Sequence, residues 1–112
     1  MFVQDIVDQF ASQSILVTGD TYLDRELYGN VTRLSPEAPV PVVKINSRRT
    51  VPGGAANVAK NISSLGGKAL LLGLFGDDPL SQEMARELPS ENIKLLNLAP
   101  SKYRLPEKYR IF

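Results

Sequence analysis

The chain has 112 residues, with 13 Lys and Arg against 12 Asp and Glu, and it contains neither Cys nor His. That length suits one domain, and the near-balanced charge gives no case for a nucleic-acid stripe or a polybasic membrane patch. The missing residue types exclude disulfides, thiolate metal sites, Cys nucleophiles and His acid–base chemistry, so any proton transfer would fall to Asp, Glu, Lys or Tyr. No apolar run reaches membrane-spanning length, and no basic-then-apolar leader opens the chain; the expectation is a cytoplasmic protein with no membrane partner.

Residues 2–13 read as a helix, with Val3, Ile6, Val7 and Phe10 on one stripe and Gln4, Asp5, Asp8 and Gln9 opposite. Ile15-Leu16-Val17 is a short apolar run ending at Gly19, as in a buried parallel strand. Asp20 and Asp24 follow, where ligands of open α/β sheets collect. Two carboxylates there could grip sugar hydroxyls. The plain alternative is a turn cap at Asp20, which is the preferred reading there, and a surface Asp24–Arg25 pair; for Asp24 both stay open.

Residues 26–50 do not form a strand–helix unit. Arg33 to Pro39 carries two prolines, and Val40 to Asn46 is extended and β-branched, with Pro41 tolerated at a sheet edge. Two extended pieces between a core strand and a helix predict a small sheet leaving the main layer, either a flap over a site or an ordinary hairpin.

Val51-Pro52-Gly53-Gly54 reads as a loop, because Pro fixes φ and Gly accepts angles other residues avoid. Ala55, Ala56, Val58, Ala59, Ile62 and Leu65 then recur at helical spacing, and Gly66-Gly67 ends the helix. A Gly-rich loop feeding a helix start presents backbone N–H groups and a positive dipole end to a polar or anionic ligand. Asn57, in the first turn, both donates and accepts hydrogen bonds, as a sugar hydroxyl does. Such loops are also common as mere turns. Neither a G-x-G-x-x-G nor a Gly-Lys-Ser/Thr phosphate loop is present.

Lys68 to Phe75 reads as a strand, Gly76 to Pro79 as a turn and N-cap in preference to a Mg²⁺ site, and Leu80, Met84 and Leu88 as one helix face. Ile93 to Leu98 is a third core strand. Lys102-Tyr103-Arg104 and Lys108-Tyr109-Arg110 read as a solvated strand edge. The order predicts a parallel sheet with right-handed crossovers.

The segment Gly53 to Gly76 is similar to the first signature of the PfkB carbohydrate kinases, which have the ribokinase-like fold. Gly53, Gly54, Ala55, Asn57, Ala59, Gly66 and Gly76 fill its fixed places. Asp24 falls where that family carries a sugar-gripping Asp. Asp24-Arg25, Tyr28-Gly29 and Arg33 to Val42 (R-L-S-P-E-A-P-V-P-V) further resemble the heptose-7-phosphate kinase branch of ADP-heptose synthesis, which serves lipopolysaccharide core assembly.

The resemblance implies an α/β, ribokinase-like three-layer sheet with a small β lid, of which this chain would be the N-terminal part. It implies phosphoryl transfer from Mg-ATP to a sugar phosphate. Asp24, Gly53, Gly54 and Asn57 would bind the sugar, and Arg33 would contact its phosphate. Lid strands are expected around residues 26–31, 40–46 and 107–112, pairing across a homodimer. The family's catalytic Asp sits in a Gly-Ala-Gly-Asp-type motif, which does not occur here. Gly76-Asp77 lies inside the first signature and is not that motif. No catalytic, ATP-binding or Mg²⁺-binding residue is therefore expected among these 112, and the chain alone should not turn over. The alternatives are a non-catalytic sugar-phosphate-binding or lid-pairing module, and a PfkB kinase for another sugar.

Overall fold

The computed structural model describes residues 2–112. Its first helix, α1 (Val3–Asp8), is followed by a 3₁₀ turn at Phe10–Ser12, and none of its residues is buried. The predicted helix over 2–13 is thus cut short. Ile6 and Val7 stay about half exposed, and a short helix without a packed face is marginal.

Three parallel strands make the first sheet, in the order β1 (Ser14–Gly19), β4 (Lys68–Gly73), β5 (Ile93–Asn97). Leu16 pairs with Leu70, and Leu72 with Leu96. Alternation sends Val17, Ala69, Leu71 and Ile93 to one face, where they join one core. Helix α2 (Ala55–Ser64) reaches that core through Ala55, Ala56 and Ala59, whose small side chains allow a close approach to the strands. Helix α3 (Pro79–Arg86) adds Met84, which is wholly buried like Leu71. Each such side chain contributes about 2 kcal/mol by leaving water. The opposite face carries Leu16 and Leu96, 59% and 41% exposed, beside half-buried Leu70 and Leu72; among the described residues no helix covers it.

The helix boundaries follow local chemistry. The Gly67 N–H reaches the Ile62 carbonyl at 3.1 Å and the Gly66 N–H the Ser63 carbonyl at 3.0 Å, closing α2 with Gly66 at φ +92°. Asp78 caps α3 by accepting from the Ser81 N–H, with Pro79 as the first helical residue. This is the turn and N-cap expected of the Asp77-Asp78 pair.

The second sheet stands apart from the first. Strand β2 (Thr21–Leu34) pairs antiparallel with β3 (Pro41–Gly54) and parallel with β6 (Glu107–Ile111). The expected lid pieces at 26–31 and 40–46 are parts of two 14-residue strands joined across Ser35 to Val40. The prolines fall where strands tolerate them. Pro36 and Pro39 lie in the turn, Pro41 opens β3, and Pro52 lies on an edge strand.

The loop expected at 51–54 is instead the end of β3. Leu23 opposes Pro52, Tyr22 opposes Gly53 and Thr21 opposes Gly54. The glycines serve the ladder rather than a turn, because the Tyr22 ring fills the space where a Gly53 side chain would stand.

Candidate functional site

Asp20 alone separates β1 from β2, so the chain leaves one sheet and enters the other at the C-terminal end of β1. Three contacts lock this junction. The Ala55 N–H donates to the Asp20 carbonyl at 2.8 Å, the Thr21 hydroxyl donates to the Leu74 carbonyl at 2.8 Å, and the Leu23 N–H donates to the Pro106 carbonyl at 3.0 Å. Gly54 passes from β3 into α2 at φ +62°, ψ −131°, and a Cβ there would run into the Asp20 carbonyl. Only glycine meets both demands.

Side chains alternate along β2, so Tyr22, Asp24 and Glu26 share one face with their cross-strand partners. Gly53, Val51 and Arg49 lie opposite them on β3. Lys108 and Arg110 flank Asp24 and Glu26 on β6. The Lys108 ammonium lies 5.9 Å from the Tyr22 ring centre, in cation–π range. The Tyr28 ring stacks on Phe112 at 5.1 Å. This face of the second sheet is polar, charged and aromatic.

Asp24 is its centre. It is 8% exposed, and its Oδ2 lies 3.2 Å from Arg110 Nε. Its Oδ1 is buried with no hydrogen-bond partner among the described residues. Burying a carboxylate oxygen unpaired costs free energy, so such an atom calls for a donor from water, an ion or a ligand. The surface pair with Arg25 considered from sequence is not formed. Arg25 points to the other face, where it bonds Glu83, Glu107 and Thr50.

The hairpin register brings Gly53 and Gly54 to the Asp24 end of the second sheet, and α2 then carries Asn57 in its first turn, exposed. No side chain caps α2, which leaves first-turn N–H groups open beside Asn57. Two clefts flank Tyr22. One is lined by Asp20, Gly54, Ala55 and Val58, and the other by Tyr103, Pro106, Glu107 and Lys108; Asp24 lines neither.

Arg33 is not brought to this group. It is exposed and lies nine residues along β2 from Asp24, about 30 Å at the usual strand rise. The cations beside Asp24 are Lys108 and Arg110, on a strand edge expected to be merely solvated. The sign that could have found them was their two-residue spacing in a strand, which puts both on one face.

The profile of the pfkB family carbohydrate kinases matches residues 12–110. The chain belongs to that family. Among relatives of this PfkB chain, the bifunctional protein HldE of Vibrio parahaemolyticus serotype O3:K6 is 43% identical over 109 residues, 97% of this chain and 23% of that protein. HldE of Shigella boydii serotype 18 is 49% identical over 88 residues, 79% of this chain and 18% of that protein. The chain therefore spans about a fifth of the length of the curated relatives it matches. Solved PfkB-like folds agree with the architecture. A carbohydrate kinase from Agrobacterium tumefaciens superposes with TM-score 0.67 at 24% identity, over 88% of this chain and 31% of that one. Phosphofructokinase-2 from Escherichia coli in complex with fructose-6-phosphate superposes with TM-score 0.62 at 20% identity, over 88% and 30%. The expected ribokinase-like α/β fold is the one observed.

Proposed function

We propose that this chain forms the sugar-phosphate-binding half of a heptose 7-phosphate kinase, which makes heptose 1,7-bisphosphate for ADP-heptose and lipopolysaccharide core synthesis. The observation that carries the reading is the buried, unpartnered Oδ1 of Asp24 beside Arg110. A carboxylate oxygen held ready and dry suits a sugar hydroxyl, which would supply the missing donor.

In this reading Asp24 and Asn57 bind hydroxyls. The backbone at Gly53 and Gly54 lets the sugar approach closely, and the open N–H groups of α2 favour its electron-rich oxygens. Lys108 and Arg110 take the substrate phosphate, because they are the cations that flank Asp24, the third on this face, Arg49, being paired with Glu26. Arg33 enters only in a homodimer joined through the lid, where the tip of one lid would come to the site of the other copy. The family uses ATP with Mg²⁺ to supply the transferred phosphoryl group, and no residue described here is assigned to either. The protein acts in the cytoplasm. Positioning and charge stabilisation are what such a transfer asks of a protein, and this half supplies the positioning.

The test is calorimetric titration of the chain with D-glycero-D-manno-heptose 7-phosphate, beside fructose 6-phosphate and a coupled assay for ADP release. Saturable binding of the heptose in preference to the ketose, without ADP release, supports the proposal. Preference for fructose 6-phosphate would assign another sugar, and absence of saturable binding at millimolar ligand would overturn the site.

A further inference from the structure

Behind the Asp24 face, one guanidinium joins every strand of the lid to the body. Arg25 is the next residue along β2 and points the opposite way. Its Nη1 donates to Thr50 Oγ1 on β3 at 2.8 Å, and its Nε to Glu107 Oε2 on β6 at 3.0 Å. Nη1 and Nη2 together grip both oxygens of Glu83 on α3, the second at 2.8 Å. The side chain is only 18% exposed. Glu83 precedes Met84, which is fully buried, so the anchor on α3 is itself fixed in the core.

We propose that Arg25 is a positioning residue for the sugar-phosphate site. It touches no substrate; it holds the first residue of β6 and thereby sets Lys108 and Arg110 against Asp24. The inference rests on the sugar-phosphate reading given above. The geometry is direct. Glu107 is followed by Lys108, which pairs with Asp24 in register, and Arg110 lies two residues further on the same face. Freed from Arg25, β6 keeps five register pairs to β2 but loses its side-chain tie to that strand's root. The planar fork matters, because three partners on three elements need fixed donor directions. A lysine ammonium would satisfy one or two of them without setting their angles.

The fork also offsets the charge of its two carboxylates, so Glu107, which lines the cleft beside Tyr22 with Lys108, steadies the cations' strand without opposing a phosphate there.

The experiment measures backbone amide exchange and heptose 7-phosphate affinity in the wild-type chain and in Arg25→Met, Arg25→Lys and Glu107→Gln. Arg25→Met is expected to speed exchange at Glu107–Ile111 by about tenfold or more while Leu70 and Leu71 stay protected, and to weaken affinity by about tenfold. Arg25→Lys should fall between the two. If Arg25→Met unfolds the chain, Glu107→Leu, measured in the same way, decides, since it removes the acceptor on β6 and leaves the grip on Glu83 intact; Glu107→Gln, which keeps one acceptor oxygen, should fall between it and wild type. Unchanged β6 exchange in Arg25→Met or Glu107→Leu overturns the proposal, as does a Lys variant equal to wild type. If the wild-type chain binds no heptose phosphate, the functional reading fails, and the exchange data still decide whether Arg25 sets β6.

Discussion

The Tyr22 ring lies across Gly53, its antiparallel partner, so closely that a methyl group at residue 53 would overlap the ring. The conflict lies between two specific groups, which makes it separable by mutation. Gly53→Ala should destabilise the chain by about 1–3 kcal/mol through overpacking. Adding Tyr22→Ala should return part of that loss, giving a non-additive double-mutant cycle read by urea unfolding. Additive losses would show that Gly53 is required for its backbone instead.

Asp24 is expected to serve ligand more than fold. Asp24→Asn should weaken heptose 7-phosphate binding by about tenfold to a hundredfold, since an amide presents the sugar hydroxyl with neither charge nor two acceptor oxygens. The melting temperature should hold or rise, because a buried, half-satisfied carboxylate is replaced by a neutral group. Paired calorimetry and thermal melts check both halves. A large fall in melting temperature with intact affinity would make Asp24 structural.

The phosphate contacts proposed on β6 separate cleanly from the one at Arg33. Arg110→Ala should lower affinity for the sugar phosphate by about tenfold and flatten its salt dependence, as loss of a charge-assisted contact does. Arg33→Ala should leave the affinity of a monomeric preparation within about twofold, because it stands at the far end of β2. The reverse ranking, measured on the monomer, would return the phosphate to Arg33.

Acid should weaken the fold through Glu83 and Asp78. The hydrogen bond from Arg25, working against burial, holds the Glu83 carboxyl below its ordinary value of 4.5. The same hydrogen bond, again against burial, keeps Arg25 protonated more firmly than usual. At Asp78 burial pushes the carboxyl up, but donors from Ser81 and the Leu105 N–H prevail and hold it below 3.8. Both folded values are depressed, so both groups stabilise the fold above those ordinary values and lose that contribution as pH falls through the lowered ones. Unfolding free energy should therefore drop between about pH 5 and pH 3, and Glu83→Gln should make the drop shallower. An unchanged slope in that variant would count against the Arg25–Glu83 tie.

The sequence disclosed the first sheet more readily than the second. Strands β1, β4 and β5 announce themselves through apolar runs such as Leu70-Leu71-Leu72, the mark of a parallel sheet made to be covered on both faces, although here one face is open and in β1 only Val17 is buried. Helix α2 shows in its alanine spacing. The lid was legible as extended chain but not as two long strands, because a half-exposed sheet mixes polar and apolar residues and β3 carries a proline at its buried root. Gly53-Gly54 misled for a physical reason. Glycine is equally at home in a turn and under an aromatic ring, and only the partner strand says which. At the site, the place of Asp24 after a core strand and the family pattern single it out, while its unpartnered oxygen belongs to packing alone. The closeness of Lys108 and Arg110 to Asp24 comes from a pairing that spans more than 80 residues of chain, between Asp24 and Lys108, and the distance of Arg33 from Asp24 comes from the length of the strand that carries both.

Strands β2 and β3 hold 14 residues each, so the hairpin reaches about 45 Å from root to tip at about 3.3 Å per residue. Its root is held at Asp20–Leu23 by the three contacts that lock the junction, so the length magnifies whatever slack they leave: a turn of about 10° at the root would swing the Ser35–Val40 turn through about 8 Å. Events too small to follow at the root would be plain from a pair of distance labels, one on the tip and one on α2.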